Sequence, residues 1–145
     1  MHINYTQTSL EDEIMNKNST SKILDAIAQA IFDKKGFNIL ALDVRGISTF
    51  TDYYLIAEGS VERHVSSISK AIVAALEEIN LRPLHVEGDK TGDWAVIDYG
   101  EIAVHLLIPE LREKYALEEL WSKGQIVDLH IVISKENSFL NKEEF

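Results

Sequence analysis

A chain of 145 residues, 46% of them hydrophobic, is long enough for one compact domain that buries roughly two-thirds of its unfolded surface without metal or disulfide support. The absence of cysteine excludes a disulfide framework, a thiolate zinc site, an iron–sulfur cluster and a cysteine nucleophile, and it fits a reducing compartment. A net charge of −10, from 14 Lys and Arg against 24 Asp and Glu, repels phosphate backbones at long range, so independent DNA or RNA binding is not expected; the same field favours approach to a basic protein surface.

Residues 1–20 are polar and aperiodic, with an acidic cluster at Glu11-Asp12-Glu13, and read as a flexible extension or a short accessory helix. Met1-His2-Ile3-Asn4-Tyr5 offers no basic region followed by an apolar run, so no secretory signal is read. No apolar stretch approaches the ~20 residues of a membrane span, and a cytoplasmic protein is expected. From Ser21 onward Ile23, Leu24, Ile27, Ala28, Ile31 and Phe32 make one stripe at helical spacing, with Ser21 as N-cap and Lys34-Lys35-Gly36 as the stop.

Ile39 to Val44 is a nearly continuous apolar run, as in a strand covered on both faces, and Tyr53 to Ala57 is a second, ended by Gly59. Ser60 reads as the N-cap of a long helix carrying Glu62 in its first turn. Val65, Ile68, Ile72, Leu76 and Ile79 form its stripe, and Asn80 its end. Pro83 to Val86 is a candidate edge strand, followed by a polar turn with Gly88 and Gly92.

The clearest local feature is a hairpin. Trp94 to Asp98 and Glu101 to Leu107 flank Tyr99-Gly100, and a two-residue turn there would set Asp98 opposite Glu101, Val96 opposite Ala103 and Trp94 opposite His105. One face then carries Ala95, Ile97, Ile102, Val104 and Leu106, and a helix must cover it. The other carries Trp94, Val96, Asp98, Glu101, Ala103, His105 and Leu107, too polar for a core and too apolar for ordinary surface. That face is either covered by a second helix, with Asp98 and His105 hydrogen-bonded inside, or left open as a docking or homodimer surface anchored by Trp94.

Pro109 starts an amphipathic helical segment through Tyr115, continued on its apolar side by Leu117, Leu120 and Trp121. Leu129 to Ile133 suggests a weak further strand, and residues 134–145 a polar tail. The order helix, strand, strand, helix, strand, hairpin, helix predicts an α/β fold over residues 21–133, with a mixed sheet of about five strands flanked by helices.

Gly59-Ser60 between strand and helix has the form of a phosphate cradle, as nucleotidyltransferases use. Their chemistry also needs two carboxylates on the following strand to hold two metals. Here Lys70 to Leu76 contains no acid, while Glu77 and Glu78 point in different directions on a helix. His64, His85, His105 and His130 stand singly, as hydrogen-bonded structural histidines usually do. No Gly-x-Ser-x-Gly elbow, Walker loop or dinucleotide fingerprint occurs. No catalytic residue, metal or cofactor is expected.

Six segments, in order, resemble the ribosomal silencing factor (Iojap) family. They are Ala41-Leu42-Asp43-Val44-Arg45-Gly46; Thr51-Asp52-Tyr53-Tyr54-Leu55-Ile56-Ala57-Glu58-Gly59-Ser60; Arg63-His64-Val65; Val86-Glu87-Gly88; Asp93 to His105; and Arg112 to Trp121. Glu58 departs from the small or hydroxyl residue usual at its position. The resemblance implies a nucleotidyltransferase-like topology without the catalytic site. It also implies binding to the large ribosomal subunit through its universal protein fourteen, steric block of subunit joining, repression of translation under nutrient limitation, and a homodimer. By position the family's partner-contacting strand falls on Trp94, Ala95, Val96, Ile97, Asp98 and Tyr99. Trp94 is the expected apolar anchor and Asp98 the anionic partner of a Lys or Arg; Ala95 and Ile97 rank lower, being on the covered side of the hairpin. Tyr54, His105, Arg112 and Tyr115 also match motif positions, where seating the last helix stands beside contact as a role. The alternatives are a nucleotidyltransferase-like enzyme and a protein-binding module acting away from the ribosome.

Overall fold

Leu24, Ile27, Ala28 and Ile31 lie on one side of a helix spanning residues 19–33 (α1), and all four are buried. The computed structural model describes residues 19–120 and 122–133; the expected terminal extension, apart from its last two residues, and the polar tail lie outside them. The helix is already running at residue 19, so Ser21 is not its cap. At its other end Lys35, not Gly36, takes the left-handed conformation (φ 65°). Gly36 is needed for space instead: a Cβ there would come 2.4 Å from Ile31 Cγ2.

The strands are β1 (Phe37–Asp43), β2 (Tyr53–Glu58), β3 (His85–Glu87), β4 (Trp94–Asp98), β5 (Ile102–Leu107) and β6 (Gln125–Ile126). They form one sheet in the order β3-β4-β5-β2-β1-β6, with β2 and β5 parallel and the other neighbours antiparallel. The sheet is therefore mixed, as expected, with six strands among the described residues rather than about five, because the two residues of β6 carry too little pattern to read. The edge strand β3 begins at His85, not Pro83, since Pro has no N–H for a ladder.

Helix α2 (Glu62–Glu77) buries Val65, Ile68, Ile72 and Leu76 completely. Its N-cap is Val61, without a side-chain bond; Ser60 is not the cap, its hydroxyl lying 3.1 Å from His64 Nδ1 instead of on a helix amide. The helix ends at Glu77, before Ile79, which is 51% exposed, and Asn80 follows in a left-handed turn. Together α1 and α2 close one core with Leu55, Ala57, Ala95, Ile97, Ile102, Val104 and Leu106. Each fully buried Leu or Ile there contributes about 1.5–3 kcal/mol by leaving water.

The hairpin register differs by two residues from the expected one. Asp98 pairs with Ala103, Val96 with His105 and Trp94 with Leu107, and the tip is Gly100-Glu101, with Gly100 at φ 87°. A slip of two leaves every side chain on its expected face, because side chains alternate with period two.

On the opposite face the sheet is only partly covered. Helix α3 (Pro109–Tyr115) and the short α4 (Leu117–Leu120) bring Leu111 and Leu117 against Ile56, Leu107 and Trp94. The expected single segment is broken at Ala116, which takes a left-handed conformation (φ 43°) and donates its N–H to Arg112 O. Trp121 lies outside the described residues. Residues 129–133 do not form the weak strand expected of them. His130 N donates to Asp25 Oδ1 (2.9 Å), Val132 N to Gln29 Oε1 (2.7 Å), and Gln29 Nε2 to Val132 O (3.0 Å). Two α1 side chains one turn apart thus take the place of a strand partner.

Candidate functional site

Trp94 opens β4 and points to the partly covered face. Its indole N–H donates to His105 Nδ1 at 3.0 Å, across a diagonal between neighbouring strands. Tyr115 packs against it with the rings tilted by 43° and their centroids 5.0 Å apart, and Tyr54 lies 5.3 Å from the His105 ring. Four aromatic rings thus cross the face from β2 through β5 and β4 to α3. Burial holds the His105 imidazolium unfavourable and pushes its pKa down to about 4. The ring is neutral at pH 7, with Nδ1 accepting and the proton on Nε2.

Val96 follows Trp94 on the same face, between Glu87 of β3 and His105 of β5. Asp98 is next, and its Oδ1 accepts the Gly100 N–H at 2.7 Å, which fixes the tip of the hairpin. Trp94, Val96, Asp98 and His105 are all half-buried, and Tyr115 is exposed. Exposed His85 and Glu87 on the edge strand, 2.7 Å apart, border the row. Burial raises the Tyr54 hydroxyl above its ordinary pKa, and the Asp98 charge adds to the shift, so Asp98 acts across two strands.

The remaining expected residues fall elsewhere. Ala95 and Ile97 are completely buried under α1 and α2. Tyr99 follows them on that side; its hydroxyl is buried without a hydrogen-bond partner among the described residues, and burial pushes its pKa up to about 12. Arg112 pairs with Glu58 at 3.2 Å, both side chains nearly buried, and donates to the Asn38 carbonyl, so it fixes α3 against β1 and β2.

A residue outside the expected set stands near the tip. Phe50 is 90% exposed in the loop before β2, and Thr51 ties that loop to the hairpin, its hydroxyl donating to Glu101 O at 2.8 Å. No periodicity marks Phe50 in the sequence.

The Gly59-Ser60 turn is occupied by protein contacts. The Ser60 amide, which a phosphate would need, bonds His64, whose Nε2 donates to the Lys34 carbonyl at 2.6 Å. Among the described residues no three His, Asp or Glu side chains gather as a metal site would require, and no helix is long and apolar enough to cross a membrane.

Residues 17–144 match the family model described as "Ribosomal silencing factor during starvation". A Bacillus subtilis protein named ribosomal silencing factor RsfS is 36% identical over 115 residues, covering 79% of this chain and 95% of its own. A Mus musculus protein named mitochondrial assembly of ribosomal large subunit protein 1 is 28% identical over 102 residues, covering 68% of this chain and 45% of its own. The crystal structure of protein CV0518 from Chromobacterium violaceum superposes with a TM-score of 0.68 at 27% identity, covering 79% of this chain and 94% of that one.

Proposed function

The chain belongs to the ribosomal silencing factor family, and from that premise we propose that it docks on the large ribosomal subunit through the half-open face of β4 and β5. The docked protein occupies space the small subunit needs, and translation is repressed by steric exclusion. Its partner is the basic universal protein fourteen of the large subunit, the function the family likeness implies. No bond is made or broken, so affinity and residence time set the effect.

The observation that carries this reading is Trp94, held by His105 and Tyr115 on a sheet face that no long helix covers among the described residues, two positions from Val96 and four from Asp98. A rigid, partly exposed indole has little conformational entropy to lose on binding, as an interface anchor requires. Asp98, Glu87 and the net charge of −10 suit a cationic partner. The contact set narrows to Trp94, Val96 and Asp98, with His105 and Tyr115 holding the indole. Ala95, Ile97 and Tyr99 are assigned to the core and Tyr54 and Arg112 to support. The mouse relative, whose name refers to assembly of a large ribosomal subunit, favours the large subunit over the small.

Pelleting with separated subunits tests the proposal. The protein is expected to sediment with large subunits alone and to reduce joined ribosomes on a gradient when small subunits are added afterwards. Sedimentation with neither subunit, or joining that proceeds undiminished, overturns it.

A further inference from the structure

The protein carries an excess of acid, yet one groove on it is basic. Lys34, at the end of α1, and Arg63 and Lys70, on α2, line an open depression of about 530 Å³ floored by Ser67, Ala71 and Ala74. Among the described residues no carboxylate lines it. Of the four arginines in the sequence, Arg45, Arg82 and Arg112 each face a carboxylate, at 2.7, 3.8 and 3.2 Å. Among the described residues Arg63, Lys34 and Lys70 have no such partner. Cations left unpaired in a chain with this many acids leave a surface suited to an external anion.

The groove is also built. His64 ties the Lys34 carbonyl to the first turn of α2, which keeps Lys34 beside Arg63. Arg63 and Lys70 are seven residues apart, hence on one side of α2 and roughly 10 Å apart along its axis. The small side chains of Ala71 and Ala74 leave room between the cations.

Its position relates it to the docking face. The Ser66 hydroxyl donates to the Asp89 carbonyl in the turn that leads into β4, and Gly92 of that turn sits against the Glu62 carbonyl. This turn thus joins the basic half of α2 to the start of β4, although α2 and Trp94 lie on opposite faces of the sheet. A surface that meets Trp94 and continues around the turn reaches the groove.

We infer that Lys34, Arg63 and Lys70 form a second contact, to RNA phosphodiesters beside the protein that Trp94 engages. This rests on the ribosome-docking reading. The net charge of −10 repels RNA at a distance, but at cellular salt charges more than roughly 10 Å apart are largely screened. Once Trp94 has brought the surfaces together, the local cations decide, and Arg and Lys beside a serine hydroxyl suit phosphate oxygens. The groove adds affinity and orientation to a docked protein; it does not capture free RNA.

The test is the salt dependence of binding to purified large subunits. Each phosphate contact contributes about 0.7–0.9 to the slope of log affinity against log salt. The triple variant Lys34→Gln, Arg63→Gln, Lys70→Gln is expected to bind with a slope shallower by about 2. A control triple, Lys22→Gln, Arg82→Gln, Lys123→Gln, removes the same charge elsewhere and is expected to keep the parent slope. Equal slopes in all three proteins, or equal loss in both variants, overturn the inference. At low salt a 20-nucleotide RNA should compete against the parent more than against the groove variant, whereas polyglutamate should not discriminate. If polyglutamate competes as the RNA does, the groove takes an acidic protein and the RNA assignment falls. Trp94→Ala is expected to weaken binding at every salt concentration with the slope intact, so failure of the docking face and failure of the groove read out separately.

Discussion

The indole N–H of Trp94 donates to Nδ1 of His105 at 3.0 Å, and this bond fixes both the rotamer of the anchor and the tautomer of the imidazole. Burial of the same imidazole makes the fold pH-dependent. The folded protein holds His105 neutral down to about pH 4, whereas an unfolded chain protonates it near 6.5. Between those values the unfolded state binds the extra proton. The contribution is therefore complete above about pH 6.5 and is lost as pH falls toward 4, by roughly 2 kcal/mol at pH 5. His105→Asn, which does not titrate, should lose less stability between pH 7.5 and pH 5 than the parent in urea titrations. Identical losses would show that His105 is not the titrating group.

Glu58 and Arg112 form a pair with side chains only 8% and 12% exposed. Removing one partner leaves the other charge buried, so Glu58→Ala or Arg112→Ala should cost roughly 3 kcal/mol or more. The double variant Glu58→Ala, Arg112→Ala should cost clearly less than the sum of the two singles. Thermal denaturation of the four proteins checks this, and additive losses would show the two residues to be energetically independent.

Gly88 and Gly46 separate backbone strain from space. Both have positive φ, but a Cβ at Gly88 would lie 2.0 Å from the Trp94 carbonyl oxygen, while one at Gly46 meets nothing within 4 Å. Gly46→Ala should cost about 1 kcal/mol, from the left-handed conformation alone. Gly88→Ala should cost at least about 2 kcal/mol, since it also forces the start of β4 to move. Equal urea midpoints for the two variants would contradict the packing described at the β3–β4 turn.

The Tyr99 hydroxyl is buried with no partner among the described residues, a loss of hydration that none of them returns. Tyr99→Phe should be neutral or stabilising by up to about 1 kcal/mol and should leave ribosome binding unchanged. A fall in stability would mean the hydroxyl has a partner in solution.

What the sequence discloses depends on the range of the interaction. The stripes of α1 and α2 and the alternating faces of β4 and β5 are local, and a two-residue error in the hairpin register still leaves Trp94, Val96 and Asp98 together on the correct face. The reach of the cover over that face depends on where α3 stops, and it stops at Ala116, a left-handed residue without the usual glycine signal. Glu58 and Arg112 are 54 positions apart, and neither announces the other. Residues 129–133 have the composition of a strand, yet their backbone partners are the side chains of Asp25 and Gln29, which no pattern of alternation encodes. Lys35 and Asn80 occupy left-handed positions for which glycine is the usual signal, so chain turns there were only partly legible. For the site, the alternation placed the anchor and the acid, but the acceptor role of His105 follows from a diagonal contact between strands.

The central claim is that the Trp94 face is the docking surface. Its most direct test is the dissociation constant for purified large subunits, measured for the parent and for Trp94→Ala after circular dichroism has shown the variant folded. The account predicts weakening by at least about 2 kcal/mol, some thirtyfold, in the range of an interface hot spot. A folded Trp94→Ala variant that binds as tightly as the parent would contradict it.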